Sequence, residues 1–196
     1  GAGIGVLEGD TPIGLWREPL GRALVTHSTP GIAGVVWLFD PAVLVDDDDK
    51  AYLYIGGGIP GGNNPTQAHY ANPGTARVIQ LGDDMISTVG SALTIDAPYM
   101  FESSGMHKYN GMYYYTYCTN FGPRPSGTDA PPAGEIGYMI GDNPMGPFKY
   151  VGTILKNPGH FFGVGGNNHQ AVFEFEGQWY IIYHAQTVSR AVYGEG

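Results

Sequence analysis

Cysteine is nearly absent: Cys118 stands alone, so no disulfide within the chain can staple the fold. Charge is scarce, at 14% of residues, and cations are the rarer kind. Lys and Arg total 9 against 18 Asp and Glu, for a formal net charge of −9. That balance excludes nucleic acid and an anionic membrane surface as expected partners. No apolar run approaches the roughly 18 residues of a membrane-spanning helix, so no membrane partner is expected. No long stretch holds a helical period, and glycine shows no three-residue period, which excludes collagen. The first residues show no basic stretch leading into an apolar one, so no targeting segment is visible there.

What the chain does have is glycine, proline and aromatic residues. Its 196 residues include 32 Gly, 15 Pro, 14 Tyr, 8 Phe and 3 Trp. That length suits one domain with a sizeable core. The aromatic content is too high for a disordered chain and suits pleated β-structure. Sugar-binding proteins share this profile, because aromatic faces stack on pyranose rings while carboxylates bond the hydroxyls. An ordinary β-protein fits the composition equally well.

The internal pattern says more. AVLVDDDDKAYLYIGG (42–57), GMHKYNGMYYYTYC (105–118) and AVFEFEGQWYIIYH (171–184) each read as a β-hairpin. Their turns fall at Asp46 to Lys50, Asn110-Gly111 and Glu176-Gly177. The aromatic strands begin near Tyr52, Tyr113 and Trp179, 61 and 66 residues apart. IGVLEGDTPIGLW (4–16) matches IGYMIGDNPMGPF (136–148), including Gly-Asp-x-Pro-x-Gly, and TARVIQLGDDMISTVG (75–90) stands where an intermediate copy belongs. Repeats of this size, with four short strands each, predict radially arranged antiparallel sheets, a β-propeller, with inner strands near 41–45, 104–109 and 170–175. The 196 residues make roughly three such blades, fewer than the four or so that closure requires. The expectation is therefore an interior piece of a longer chain, beginning and ending in mid-pattern at Gly1 and Gly196.

Two carboxylates stand out. Asp40 follows Trp37, Leu38 and Phe39 and precedes Pro41, at the entrance of an inner strand beside apolar walls. Burial there raises a carboxyl pKa unless donors compensate; a turn-capping role before proline is the alternative. Glu102 precedes the Asn110-Gly111 turn as Asp40 precedes its own turn. If inner strands converge on an axis, the two acids face one pocket, an arrangement that glycoside hydrolysis uses; two solvated loop acids remain the alternative. His169, after GVGGNN (163–168), opens the third inner strand and is expected at the floor of that pocket. Asn168 and Gln170 beside it offer amide contacts to sugar or solvent. Trp37 and Phe39 are expected on the Asp40 side by strand alternation, as a sugar-stacking wall or as core.

Asp46 to Asp49 lack the spaced ligands of an EF-hand and read as a solvated hairpin tip. The loop GGGIPGGNNPTQAHYANPG (56–74) is placed to shape a pocket rim, with His69 and Tyr70 as polymer contacts. His107, His184 and Cys118 read as packing or surface residues.

FDPAVLVDDDDKAYLY (39–54), FESSGMHKYNGMYYYTY (101–117), GDNPMGPFKYVGTIL (141–155) and GGNNHQAVFEFEGQWYIIYHAQT (165–187) resemble glycoside hydrolase family 43. The resemblance runs over residues 4–190 and keeps the motif order. It implies an all-β, five-bladed β-propeller, of which this chain would be a partial catalytic domain lacking the first blade and the C-terminal part. It further implies an inverting glycosidase, most similar to the arabinoxylan-acting enzymes that release α-L-arabinofuranose. β-Xylosidases of the same family are the near alternative, and a non-catalytic polysaccharide-binding propeller is the other.

Carried over, Glu102 matches the general acid and Asp40 the aspartate that tunes the acid's pKa. The family's general base lies in an Ala-Asp-Pro-like context that this chain lacks. Asp10, within the repeated Gly-Asp-x-Pro-x-Gly turn, pairs with Asp142 as a turn residue instead. By itself the chain is therefore expected to be inactive. The resemblance also implies that His169 lies near the propeller centre, where it reaches a structural calcium through water. No cofactor is required for the chemistry, and the partner implied is plant cell-wall polysaccharide. Members are secreted or cytoplasmic, and a bacterial source is implied.

Overall fold

The computed structural model describes residues 3–194; Gly1 and Gly196, the expected mid-pattern ends, lie outside that range. A two-stranded sheet opens the described chain, with β1 (Gly3–Ile4) paired to β2 (Val25–Thr26). A four-stranded antiparallel meander follows: β3 (Ala42–Val45), β4 (Ala51–Gly56), β5 (Ala76–Leu81) and β6 (Thr88–Ile95), with the short helix α1 (Gln67–Ala71) between β4 and β5. A second meander comprises β7 (Met100–Tyr109), β8 (Met112–Thr119), β9 (Ile136–Gly141) and β10 (Lys149–Leu155). Then come helix α2 (Pro158–Phe162), the hairpin β11 (Gln170–Phe175) and β12 (Gln178–Tyr183), and helix α3 (Thr187–Tyr193). Two complete four-stranded sheets and two two-stranded ones amount to about three blades of a propeller. The first strands of successive sheets lie side by side, since β7 packs against both β3 and β11.

Turn chemistry sets the hairpins. Asn110 and Gly111 have φ of 49° and 75°, and Glu176 and Gly177 have 50° and 79°. Two successive positive φ angles match the right-handed twist of the flanking strands. The inner strands fall where the repeat places them, except that β7 starts at Met100 rather than near 104. Its register shifts on both sides of Glu102, with Met100 opposite Thr119, Glu102 opposite Cys118 and Gly105 opposite Thr116. Extra residues of this kind bulge and bend a strand, which no periodicity reveals.

All six residues of β4 are buried. Its side chains alternate between two cores: Leu53 and Ile55 join Val25, Ile32, Val35, Leu38, Ile79 and Leu81, whereas Tyr52 and Tyr54 join Val78, Met100, Tyr115, Tyr117 and Met139. A strand covered on both faces reads as a continuous apolar run. The tyrosines suit the second core because their hydroxyls reach partners across it: Tyr54 donates to the Pro144 carbonyl at 2.7 Å and Tyr117 to the Pro98 carbonyl at 2.8 Å. Pro144 belongs to the repeated turn after β9. The matching turn at 9–14 follows β1, and there Asp10 has an 81% exposed side chain that pairs with Arg17 at 3.5 Å.

Asp47 to Asp49 form the solvated hairpin tip that the acidic run suggests, but Asp46 does not. Asp46 has a side chain only 8% exposed and accepts hydrogen bonds from Lys108 and Tyr113 of the next sheet. Lys108 also reaches Asp47 at 2.7 Å. Burial pushes the Asp46 carboxyl up, but Lys108, Tyr113 and the Asp47 amide together hold it below its ordinary value. A carboxyl lowered by folding stabilises above its unfolded pKa of about 3.9, and that contribution is lost as pH falls through the lower folded value. Asp46→Asn is therefore expected to lower the thermal midpoint at neutral pH and to flatten its decline under acid. Parallel acid slopes in melting curves of the two proteins would refute this role.

Candidate active site

The segment before β3 is not a strand, so alternation does not orient Trp37 and Phe39. Their placement comes from the loop after β4 instead. Trp37 N–H donates to Gly57 O at 3.0 Å, Gly56 N–H to Phe39 O at 3.2 Å, and Gly58 N–H to Phe101 O at 2.8 Å. Glycine is required here by close approach. A Cβ on Gly57 would lie 2.3 Å from Phe101 O, and one on Gly58 would lie 2.9 Å from the Trp37 ring. The loop thus threads between two rim segments and sets their aromatic side chains together. Trp37 meets Phe39 and Phe101 edge to face, with centroids 5.4 Å apart in each pair, and Phe101 meets Phe121 at 5.8 Å.

A groove of about 480 Å³ runs along this wall, lined by Trp37, Phe39, Phe101, Glu102 and Asn167 among others. Glu102 enters it from the bulge in β7 and is 9% exposed. Burial raises its carboxyl pKa, and the negative charge of Asp40 raises it further. Asp40 stands at φ 50° just before β3, and its Oδ2 accepts the backbone N–H of Ser103 at 3.0 Å. A carboxyl held toward its neutral form beside a second, hydrogen-bonded carboxylate is equipped to deliver a proton. Trp37, Phe39 and Glu102 thus line the groove, whereas Asp40 is not among its lining residues and stands behind Glu102, held by the Ser103 N–H.

The residues around His169 are placed differently. His169 does not line this groove; it lines an adjoining cavity of about 280 Å³ between the inner strands, together with Ser104, His107, Thr116 and Gln170. Its carbonyl accepts the His184 N–H at 3.3 Å, which ties His184 to the chain. His107 is wedged between Tyr114 and Trp179, and burial lowers its pKa to about 4. Calcium prefers anionic and carbonyl oxygens. No carboxylate lines this cavity, and no group of three His, Cys, Asp or Glu among the described residues is disposed around a metal. These residues alone do not compose a calcium cage.

Asn168 is fully buried and donates to the carbonyls of Gly134 and Lys156 at 3.3 and 3.4 Å, while its Oδ1 has no partner among the described residues. Its amide braces loops. The Gln170 amide is likewise engaged, by Ser103 and Thr116. In the 56–74 loop, His69 closes a capping box with Thr66, and Tyr70 packs over Gly122. Both hold the rim together. Phe101 and Asn167 also line the groove, and in the sequence only the position of Phe101, next to Glu102, hints at a role.

Meander sheets whose inner strands gather side by side, with an aromatic groove holding Glu102 beside them, define a protein of the β-propeller class. The chain belongs to the glycosyl hydrolases of family 43, whose profile it matches over residues 1–196. It is 69% identical to an arabinoxylan arabinofuranohydrolase of Paenibacillus polymyxa, over 100% of this chain and 30% of that protein. Among solved structures, the family 43 arabinoxylan arabinofuranohydrolase of Bacillus subtilis in complex with cellotetraose superimposes with a TM-score of 0.93 at 67% identity. That match covers 98% of this chain and 39% of the other. An α-L-arabinofuranosidase of Clostridium thermocellum superimposes at 0.74 with 44% identity, covering 96% of this chain and 56% of its own. The chain thus spans well under two thirds of the relatives it matches. Among the described residues, no helix is long and apolar enough to cross a membrane.

Proposed function

We propose that the full-length protein is an inverting glycoside hydrolase that releases α-L-arabinofuranose from arabinoxylan or its oligosaccharides. The observation that carries this reading is Glu102, buried on an aromatic groove with its pKa raised by burial and by Asp40. In the reaction Glu102 protonates the departing glycosidic oxygen, and a carboxylate outside this chain deprotonates the attacking water. An inverting site holds acid and base roughly 6.5–9.5 Å apart to admit that water. Burial first and the charge of Asp40 second raise the Glu102 pKa and favour its proton-bearing form, and the Asp40 oxygen is committed to the Ser103 N–H. Trp37 and Phe39 offer faces for the sugar ring. Plant cell-wall polysaccharide is the partner, and the names of the similar arabinofuranohydrolases support that substrate class.

The test is hydrolysis of aryl α-L-arabinofuranoside and aryl β-D-xyloside by the full-length protein, with the anomer of the released sugar followed by NMR. Arabinofuranoside turnover with inverted configuration is expected. Preference for the xyloside would make it a β-xylosidase, and a folded protein silent on both would be a binding propeller.

A further inference from the structure

Directly after Glu102, the backbone takes a conformation that a side-chain-bearing residue seldom adopts. Ser103 has φ 67° in the middle of β7, in the left-handed region uncommon for residues other than glycine. Each of its polar groups is engaged. Its N–H donates to Asp40 Oδ2 at 3.0 Å, its Oγ donates to Gln170 Oε1 at 2.7 Å, and its carbonyl accepts from Gln170 Nε2 at 3.0 Å. The same Nε2 donates to Thr116 Oγ1 of β8 at 3.1 Å. Gly105 leaves the room this requires, because a Cβ there would lie 2.5 Å from Thr116 Oγ1 and 3.3 Å from Gln170 Nε2.

We propose that Gln170 is a positioning residue: it clamps Ser103 in the left-handed conformation, so that the Ser103 N–H holds the Asp40 carboxylate in place beside Glu102. Gln170 opens β11, the inner strand of the next sheet, and is buried. It grips Ser103 by both hydroxyl and carbonyl, a two-point hold that resists rotation of the intervening backbone. Without it, Ser103 relaxes toward ordinary extended φ, its N–H turns away, and Asp40 loses its fixed donor. The ionisable groups around Glu102 are Asp40 before β3 and Cys118 opposite it on β8, with His169 in the adjoining cavity. Burial pushes the Cys118 thiol up to about 12, so it is neutral at working pH. Asp40 therefore supplies the charge that raises Glu102, and displacing Asp40 lowers the Glu102 pKa.

This inference rests on the reading of Glu102 as the acid, and the experiment separates the two. In the full-length protein, the Glu102 carboxyl is titrated by ¹³C NMR in wild type and in Gln170→Met, with Glu102→Gln assigning the signal. The expected result is a lower Glu102 midpoint in Gln170→Met. The alkaline limb of kcat moves to lower pH with it, and kcat falls about tenfold to a hundredfold, as misplaced groups do. KM stays nearly constant. Adding Ser103→Gly restores part of the loss, because glycine adopts positive φ without a clamp. If Gln170→Met does not fold, Ser103→Ala, which removes only the hydroxyl half of the grip, should shift the midpoint by less in the same direction. An unmoved Glu102 titration in the folded variant would overturn the proposal and leave Gln170 a mere support of the fold. A raised KM with unchanged kcat would overturn it in favour of a sugar contact. A wild type that titrates as expected but hydrolyses no glycoside would overturn the enzymatic reading and leave the clamp standing.

Discussion

Glu102→Gln in the full-length protein is expected to cut kcat on arabinoxylan by about 10²–10⁴-fold, the usual worth of a general acid, while the fold persists. Gln matches the neutral carboxyl in shape but has no proton to give to a poor leaving group. The same substitution carries an opposite sign for stability. Glu102 has a raised pKa in the folded protein, by burial first and by Asp40 second. Such a group favours the folded state below its unfolded value of about 4.3, and that advantage disappears as pH rises through the folded value. Above the folded value ionised Glu102 is a liability, and Gln removes it. Melting curves should show Glu102→Gln at least as stable as wild type at neutral pH, with a smaller decline between mildly acidic and neutral pH. Substantial turnover by the variant would remove Glu102 from the acid role. An undiminished alkaline decline would assign that slope to another group.

The 196-residue chain by itself is expected to be inactive, at less than about a hundredth of the full-length rate. Asp40 is committed to Ser103, and Asp10 is exposed and paired with Arg17 in the turn after β1. Among the described residues, Glu102 is the one carboxylate that lines the groove. Water attack then proceeds without base assistance. The isolated chain should also associate. Phe175 and Ile182 of the two-stranded β11–β12 sheet are 60% and 61% exposed, and Ile13 and Leu15 are 94% and 91% exposed. Apolar surface of this extent in water favours contact with other apolar surface. Light scattering and aryl arabinofuranoside turnover, measured on both lengths, check the two halves of this prediction. Full activity in the short chain would mean that one of its own residues is the base, and Asp10 would be the first to replace.

The hairpins were legible in the sequence because their signals are local. Asn110-Gly111 and Glu176-Gly177 are turns by their own torsional preferences, and aromatic strands at regular spacing imply repeated sheets wherever they pack. The same spacing set Asp40 and Glu102 before successive turns, which is why the pair could be named without coordinates. What remained hidden depends on neighbours distant along the chain. Asp46 looked like a solvated tip until Lys108 and Tyr113, more than sixty residues on, closed over it. Gln170 looked like a sugar contact, but its amide is spent on Ser103 and Thr116, 67 and 54 residues away. The bulge that turns Glu102 into the groove is a mismatch between two paired strands, which neither strand records alone. The sequence by itself determined which residue types could do chemistry and roughly where the strands run. Only the tertiary structure decided which polar groups face the groove and which hold the frame, because a side chain's hydrogen-bond partners are settled by packing between sheets.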